Sequence, residues 1–202
     1  MIKWLFFDIG STLVDESVAY KKRIEKTIEN TNVSYEQFYN KMVEISKYNQ
    51  KGYSKALEAF GLTKAPWDSE DEFVYPESEP CLKMLSENYH IGIIANQNFG
   101  SKERLKKLGL LKYIDIGIAS AEEGVAKPDL RIFEIALNKA DCKAEETVMI
   151  GDRLDNDIIP ANKIGMTTVW IKQGFGGLAV PNRQEEQPDY EIENLSELIQ
   201  LF

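Results

Sequence analysis

The side chains able to do chemistry in this chain gather at the ends of short apolar runs. Trp4–Phe7 leads into Asp8-Ile9-Gly10-Ser11-Thr12, and Ile91–Ala95 into Asn96-Gln97-Asn98. Ile114–Ala119 leads to Gly124-Val125-Ala126-Lys127-Pro128, and Thr147–Ile150 into Gly151-Asp152-Arg153-Leu154-Asp155-Asn156-Asp157. One acidic residue in such a place commonly caps a helix. Two acidic ends and a lysine at a helix start ask for more. The lysine faces the positive end of the helix dipole, which is unfavourable unless an anion or carboxylates offset it. Asp8, Asp152 and Asp157 would repel one another in a shared crevice. A hard divalent cation relieves that repulsion, and Mg2+, which keeps several waters and needs few carboxylates, suits so sparse a set.

The elements that position these residues follow from the apolar pattern. The runs are continuous rather than alternating, as in strands covered on both faces. With Thr168–Ile171 there are five, alternating with helical patterns, which predicts a parallel, doubly wound sheet. The expected fold is α/β, a three-layer Rossmann-like core. Ligands of such sheets bind beyond the carboxyl ends of the strands, where the residues above lie. Pro128 is expected in the first turn of a helix with Asp129 beside it, followed by the stripe Ile132, Phe133, Ala136, Leu137 and Ala140. A second helix is expected from about Asp157 to Lys163, ended by Gly165. The Gly174-Phe175-Gly176-Gly177 stretch lacks a Walker lysine and reads as a flexible connection. Pro188–Ile192 reads as a last strand and Leu195–Phe202 as a closing helix.

Residues 16–78 break the rhythm. Val18–Thr31, Ser34–Tyr48 and Gly52–Phe60 read as helices, with Ser34 and Gln37 forming a capping box and Gly61 ending the third. Thr63–Glu79, rich in Pro, Asp, Glu and Ser, reads as a linker. The expected organisation is a core of residues 1–15 and 79–202 with a small inserted α-helical cap domain of residues 16–78.

Composition narrows the classes. The chain has 202 residues, 43% of them hydrophobic and 28% charged, as in an ordinary globular protein. A formal charge of −9 argues against a general nucleic-acid surface. No apolar run approaches the ~20 residues that span a bilayer, and the N-terminus lacks signal-peptide features. Cys81 and Cys142 form no CxxC pair and read as incidental thiols of a reducing compartment. The expectation is a cytoplasmic protein with no nucleic-acid or membrane partner.

The apolar strand ending in Asp8 with Thr12 four residues on, the Lys127-Pro128-Asp129 helix start, and Gly151-Asp152 with Asp157 together resemble the ordered motifs of the haloacid dehalogenase superfamily. The helical insertion after the first motif is similar to its helical-cap branch, and the resemblance spans nearly the whole chain. It implies that Asp8 is a nucleophile forming an aspartyl-phosphate. It implies that Asp8, the Gly10 carbonyl and Asp152 bind Mg2+, with Asp157 supporting the metal directly or through water. It implies that Lys127 holds Asp8 and the phosphoryl group. Gly10, Ser11, Thr12, Asn96 and Lys127 would surround the phosphate, Asn96 through its backbone N–H.

Three positions depart from the family pattern. A second Asp, which protonates the leaving group, usually stands where this chain has Gly10. Its loss removes a general acid–base worth ~10²–10⁴ in rate. The following glycine is Ser11. The Ser or Thr that ends the second motif is Ala95, a lost phosphate donor worth ~10²–10³. The resemblance therefore implies a Mg2+-dependent phosphatase of a small phosphorylated metabolite, with alternatives of a phosphate- and metal-binding module without turnover, or a dehalogenase. His90 reads as structural, and Asp15 and Glu16 as a hinge or a first-turn acidic pair. Gln97 and Asn98 either reach the substrate or bond their own loop, and Arg153 either pairs with a carboxylate or faces solvent. Trp67 is a weak candidate for a cap contact. The insertion's aromatics, Tyr20 among them, read mostly as packing, with one or two lining the cleft.

Overall fold

The computed structural model describes residues 1–202. The chain begins with β1 (Trp4–Phe7) and β2 (Val14–Asp15) and continues into three helices, α1 (Ser17–Ile28), α2 (Tyr35–Ser46) and α3 (Gly52–Phe60). It returns through β3 (Phe73–Val74) and α4 (Ser78–Leu85) to β4 (His90–Ala95). There follow α5 (Ser101–Lys107), β5 (Ile116–Ala119), α6 (Ser120–Glu123) and α7 (Leu130–Ala140). The last elements are β6 (Thr147–Gly151), α8 (Ile159–Ile164), β7 (Thr167–Ile171), β8 (Tyr190–Ile192) and α9 (Leu198–Leu201).

Six strands form one parallel sheet in the order β5-β4-β1-β6-β7-β8. The chain builds outward from β1 through β4 to β5, then crosses back to β6 and builds the other way. The order therefore reverses at β1, and the crevice outside the carboxyl end of β1 is the switch point where such sheets bind ligands. Alternate residues of β1 feed opposite faces, as the two-residue period of a strand requires. Leu5 and Phe7 join Ile91, Ile93, Val148, Ile150 and the helices α4 and α9 in one core. Trp4 and Phe6 join Ile94, Met149, Ile132, Phe133 and Ala136 in the other. This is a three-layer α/β sandwich of the Rossmann-like kind, as the apolar runs imply.

The helices α1, α2 and α3 bury a separate cluster of Ile24, Phe38, Met42, Tyr53, Ala56 and Leu57. The capping box at Ser34 forms in both directions, Gln37 N to Ser34 Oγ at 3.1 Å and Ser34 N to Gln37 Oε1 at 2.8 Å. Gly61 closes α3 in the left-handed conformation, at φ 64°.

Four local expectations are corrected. Thr63–Glu79 is more than a linker: β3 pairs antiparallel with β2, so the outgoing and returning chains form a two-stranded tie. Helix α4 begins inside that stretch, its Ser78 Oγ donating to Leu13 O at 2.7 Å. Pro128 stands before its helix rather than in the first turn. The N-cap of α7 is Asp129, which accepts from Arg131 N. Asn96 explains this, because its side-chain amide grips both the N–H and the carbonyl of Lys127 and keeps that stretch in the loop. The segment expected to turn regularly from Asp157 starts earlier and wider, as a π-helical turn over Leu154–Ile158 that passes into α8. Pro160 has no N–H to close a normal turn, and wide turns of this kind favour functional sites. The run expected from Ile114 becomes strand only at Ile116, since Asp115 uses its carboxylate to accept from Ile91 N.

Candidate active site

The carboxyl ends of β1, β4 and β6 open on a cavity of about 170 Å³. Asp8, Gly10, Ser11, Asn96, Lys127 and Asp152, all expected from the sequence, line it together with Glu16, Tyr20 and Phe175. Asp8 follows β1 directly and is fixed by its own N–H, which donates to Ile150 O at 2.9 Å. Lys127 arrives from the loop before α7. Its Nζ lies 2.9 Å from Asp8 Oδ1, 2.5 Å from Asp157 Oδ1 and 2.8 Å from Ile94 O. The lysine side chain is 1% exposed. Burial alone would lower its pKa, but the carboxylates of Asp157 and Asp8 outweigh this and hold it raised, so the ammonium stays charged.

Asp8, Asp152 and Asp157 each offer a carboxylate oxygen within 4.8 Å of the other two. Both oxygens of Asp157 are already engaged, Oδ1 by Lys127 and Oδ2 by Arg153 N at 3.0 Å. Asp152 is buried without a partner cation at bonding distance. Burial first, then the charges of Asp157 and Asp8, raise its carboxyl well above the usual range. Three hard oxygen donors around one point, facing a single lysine, leave excess negative charge in a place solvent barely reaches. That donor set fits a small divalent cation, and Mg2+ accepts such oxygens at few positions while keeping waters at the rest. Gly176 passes close against Asp152, and a side chain there would meet its Oδ2.

Thr12 stands apart. It is fully buried, does not line the cavity, and its Oγ1 has no hydrogen-bond partner. Asn96 supports the site through its grip on Lys127. Gln97 turns away, its Oε1 accepting from Arg104 Nη1 at 2.9 Å while its N–H donates to Ser120 Oγ. Arg153 pairs with Asp155 at 2.7 Å on the cavity wall. Tyr20 is the insertion aromatic that reaches the cavity. Trp67 packs on Tyr20 and donates Nε1 to Glu72 Oε1 at 2.7 Å. His90 is exposed and stacks on Trp4, as a structural residue would.

Two features of the site escaped the sequence reading. The Gly174–Gly177 stretch is a wall rather than a loose connection. Phe175 projects between Tyr20 and Tyr39 of the three-helix layer, edge-on to both. Its place just after β7, at the same sheet end as the other site loops, was the available signal. The second is Glu16. The expected first-turn acidic pair is corrected: no acidic residue lies in the first turn of α1, and Asp15 ends β2, its carboxylate accepting from Ser17 N at 2.8 Å. Glu16 turns inward instead and accepts from Ser11 Oγ at 3.2 Å. Burial, then the charges of Glu72 and Asp8, push its carboxyl up to about 7.

Comparison with known proteins assigns the class. The family model described as "HAD-hyrolase-like" matches residues 124–198. Over its full length the chain is 33% identical to the glyceraldehyde 3-phosphate phosphatase of Pyrococcus furiosus, covering 93% of that protein. It is 29% identical to the protein of that name from Methanocaldococcus jannaschii, covering 100% of this chain and 97% of the relative. Among solved structures, a HAD phosphatase from Thermococcus onnurineus superposes with a TM-score of 0.67 at 26% identity, over 99% of this chain and 97% of the other. The chain belongs to the haloacid dehalogenase-like hydrolases.

Proposed function

We propose that this hydrolase is a Mg2+-dependent phosphatase of a small phosphorylated metabolite, acting through a phosphoryl group carried on Asp8. One observation carries the reading: the Asp8 carboxylate sits at the sheet's switch point with Lys127 Nζ 2.9 Å from one oxygen. The ammonium orients that carboxylate and offers charge to the oxygens of a phosphoryl group in transfer. Asp8, the Gly10 carbonyl and Asp152 would hold the metal, with Asp157 acting through Lys127 and the Arg153 N–H. When bound, Mg2+ would neutralise phosphate oxygens and the excess carboxylate charge. Ser11 and the Asn96 N–H, both at the cavity wall, would receive phosphate oxygens. Thr12, buried behind the loop, would serve the loop's shape.

Residues 16–78 would act as the cap over a core of residues 1–15 and 79–202, with Tyr20 and Phe175 closing the cavity between them. A cap excludes water and selects the substrate. Small substrates suit a cavity of about 170 Å³, and the relatives named for glyceraldehyde 3-phosphate supply the first candidate. The carboxylates and lysine in the wall suit a phosphate better than the apolar pocket a haloacid would want.

The test is phosphate release from an aryl phosphate and from glyceraldehyde 3-phosphate, with and without MgCl2, in wild type and Asp8→Asn. Mg2+-dependent release lost in the variant supports the proposal. Binding of Mg2+ and phosphate without release from a broad ester panel would mean a binding module. Halide release without Mg2+ would mean a dehalogenase.

A further inference from the structure

A residue-10 side chain has no room in this protein, because another side chain already fills its space. A Cβ built on Gly10 would lie 2.8 Å from Glu16 Cδ and 2.9 Å from Glu16 Oε2, and closer still to Oε1. The carboxylate of Glu16 thus stands where the side chain of an acid at position 10 would begin. Ser11 holds it there: the residue adopts φ 54°, and its Oγ donates to Glu16 Oε2. That left-handed backbone conformation is unfavourable for a non-glycine residue, so the hydroxyl sits on a strained residue and points at one partner. Glu16 also borders both spaces a phosphate ester needs. It lines the small cavity with Asp8 and Lys127, and the adjoining groove of about 830 Å³ with Arg23, Gln97 and Arg104. In an ester bound across both spaces, a group on that boundary would face the oxygen that joins the phosphoryl group to the rest.

We infer that Glu16 is the general acid and base of this enzyme, taking from α1 the role that residue 10 cannot fill. The inference rests on the phosphatase reading above. In the first step an Asp8 carboxylate oxygen bonds to phosphorus. The bond from phosphorus to the ester oxygen breaks, its electron pair stays on that oxygen, and the Glu16 carboxyl gives it a proton. In the second step the Glu16 carboxylate takes a proton from water, whose oxygen bonds to phosphorus. The bond from phosphorus to Asp8 breaks, its electrons return to the Asp8 carboxylate, and inorganic phosphate leaves. Gly10, Ser11 and Glu16 are then one device: a vacated space, a hook and the acid that occupies it.

The experiment compares kcat/KM with MgCl2 on p-nitrophenyl phosphate and on glycerol 3-phosphate, an ester whose alkoxide needs a proton to depart. Wild type, Glu16→Gln and Asp8→Asn are measured in parallel. Glu16→Gln should lose ~10²–10⁴ on the alkyl ester and far less on the aryl ester, so the ratio of the two rates rises. That ratio is taken within one protein, so partial unfolding cannot mimic it. The double variant Gly10→Asp with Glu16→Ala should regain alkyl-ester activity over Glu16→Ala alone. An equal loss on both esters in Glu16→Gln, with Asp8→Asn inert, would overturn the role of Glu16 and leave Asp8 as nucleophile. Wild type inert on both esters would overturn the phosphatase reading and this assignment together.

Discussion

Lys127 and Asp157 form an ion pair that solvent does not reach, with Nζ 2.5 Å from Oδ1 and side chains 1% and 0% exposed. Such a pair is expensive to desolvate and expensive to break, since either survivor is a buried charge. Lys127→Met should therefore lower stability by about 3–5 kcal/mol and reduce turnover by at least ~10²-fold. Urea denaturation and steady-state rates measure the two. Asp157→Asn, which keeps one acceptor oxygen for Lys127 or Arg153 but turns a donor toward the other, should still lose less stability than Asp157→Ala. Equal losses in those two variants would mean that the hydrogen bonds do not matter.

Asp152 gives a metal test that needs no turnover. A ligand at a hundred times its dissociation constant stabilises the fold by ~2.7 kcal/mol, so saturating MgCl2 should raise the Tm of wild type by several degrees. Asp152→Asn should abolish that rise. The same rise in both proteins would place the metal elsewhere.

The returning chain of the helical insertion is pinned to α5 by Glu72 and Arg104, 2.5 Å apart and with side chains 3% and 16% exposed. Trp67 and Arg104 divide the two Glu72 oxygens between them. Arg104→Ala strands a buried carboxylate and should cost about 3 kcal/mol. Arg104→Lys should recover only part of it, since an ammonium cannot reproduce the planar donors of arginine. Chemical denaturation of the three proteins measures this, and full recovery by lysine would refute the geometric argument.

Glu186 ties the end of α2 to the core. Its Oε1 accepts from Asn49 Nδ2 at 3.3 Å and from Arg183, and its Oε2 from Asn182 N at 2.9 Å. Burial would raise this carboxyl, but the donors from Asn182, Arg183 and Asn49 prevail and lower it to about 2. A carboxyl depressed in the folded state stabilises above its usual pKa near 4.5 and loses that contribution as pH falls toward 2. Discounted for the exposed arginine partner, the contribution at neutral pH is ~1 kcal/mol. Glu186→Gln should be less stable than wild type by about that at pH 7, with the gap closing on acidification below pH ~4.5. A gap constant with pH would mean that the charge is immaterial.

The sheet and the loop carrying Asp8 were legible because their signals are long or singular. Continuous apolar runs as short as Ile91–Ala95 suit doubly covered strands, and the polar residues that follow them had one sheet end to occupy. The strands β2 and β3 were not legible, since two residues each carry no periodicity. Pro128 misled because Asn96, distant in sequence, decides where its helix begins. Glu16 was hidden by its neighbour: beside Asp15 it looks like one of two exposed acids at a helix start, and only the missing side chain of Gly10 shows where its carboxylate goes. The glycine-rich segment at 174–177 reads as loose until Phe175 is seen between Tyr20 and Tyr39.

Trapping the phosphorylated intermediate tests the central claim most directly. The protein is quenched with acid during turnover of a phosphate ester in MgCl2, digested and weighed by mass spectrometry. The peptide containing Asp8 should carry the mass of one phosphoryl group, and Asp8→Asn should carry none and release no phosphate. Sustained phosphate release by Asp8→Asn, or a phosphoryl group found on another residue, would contradict the assignment of Asp8 as the nucleophile.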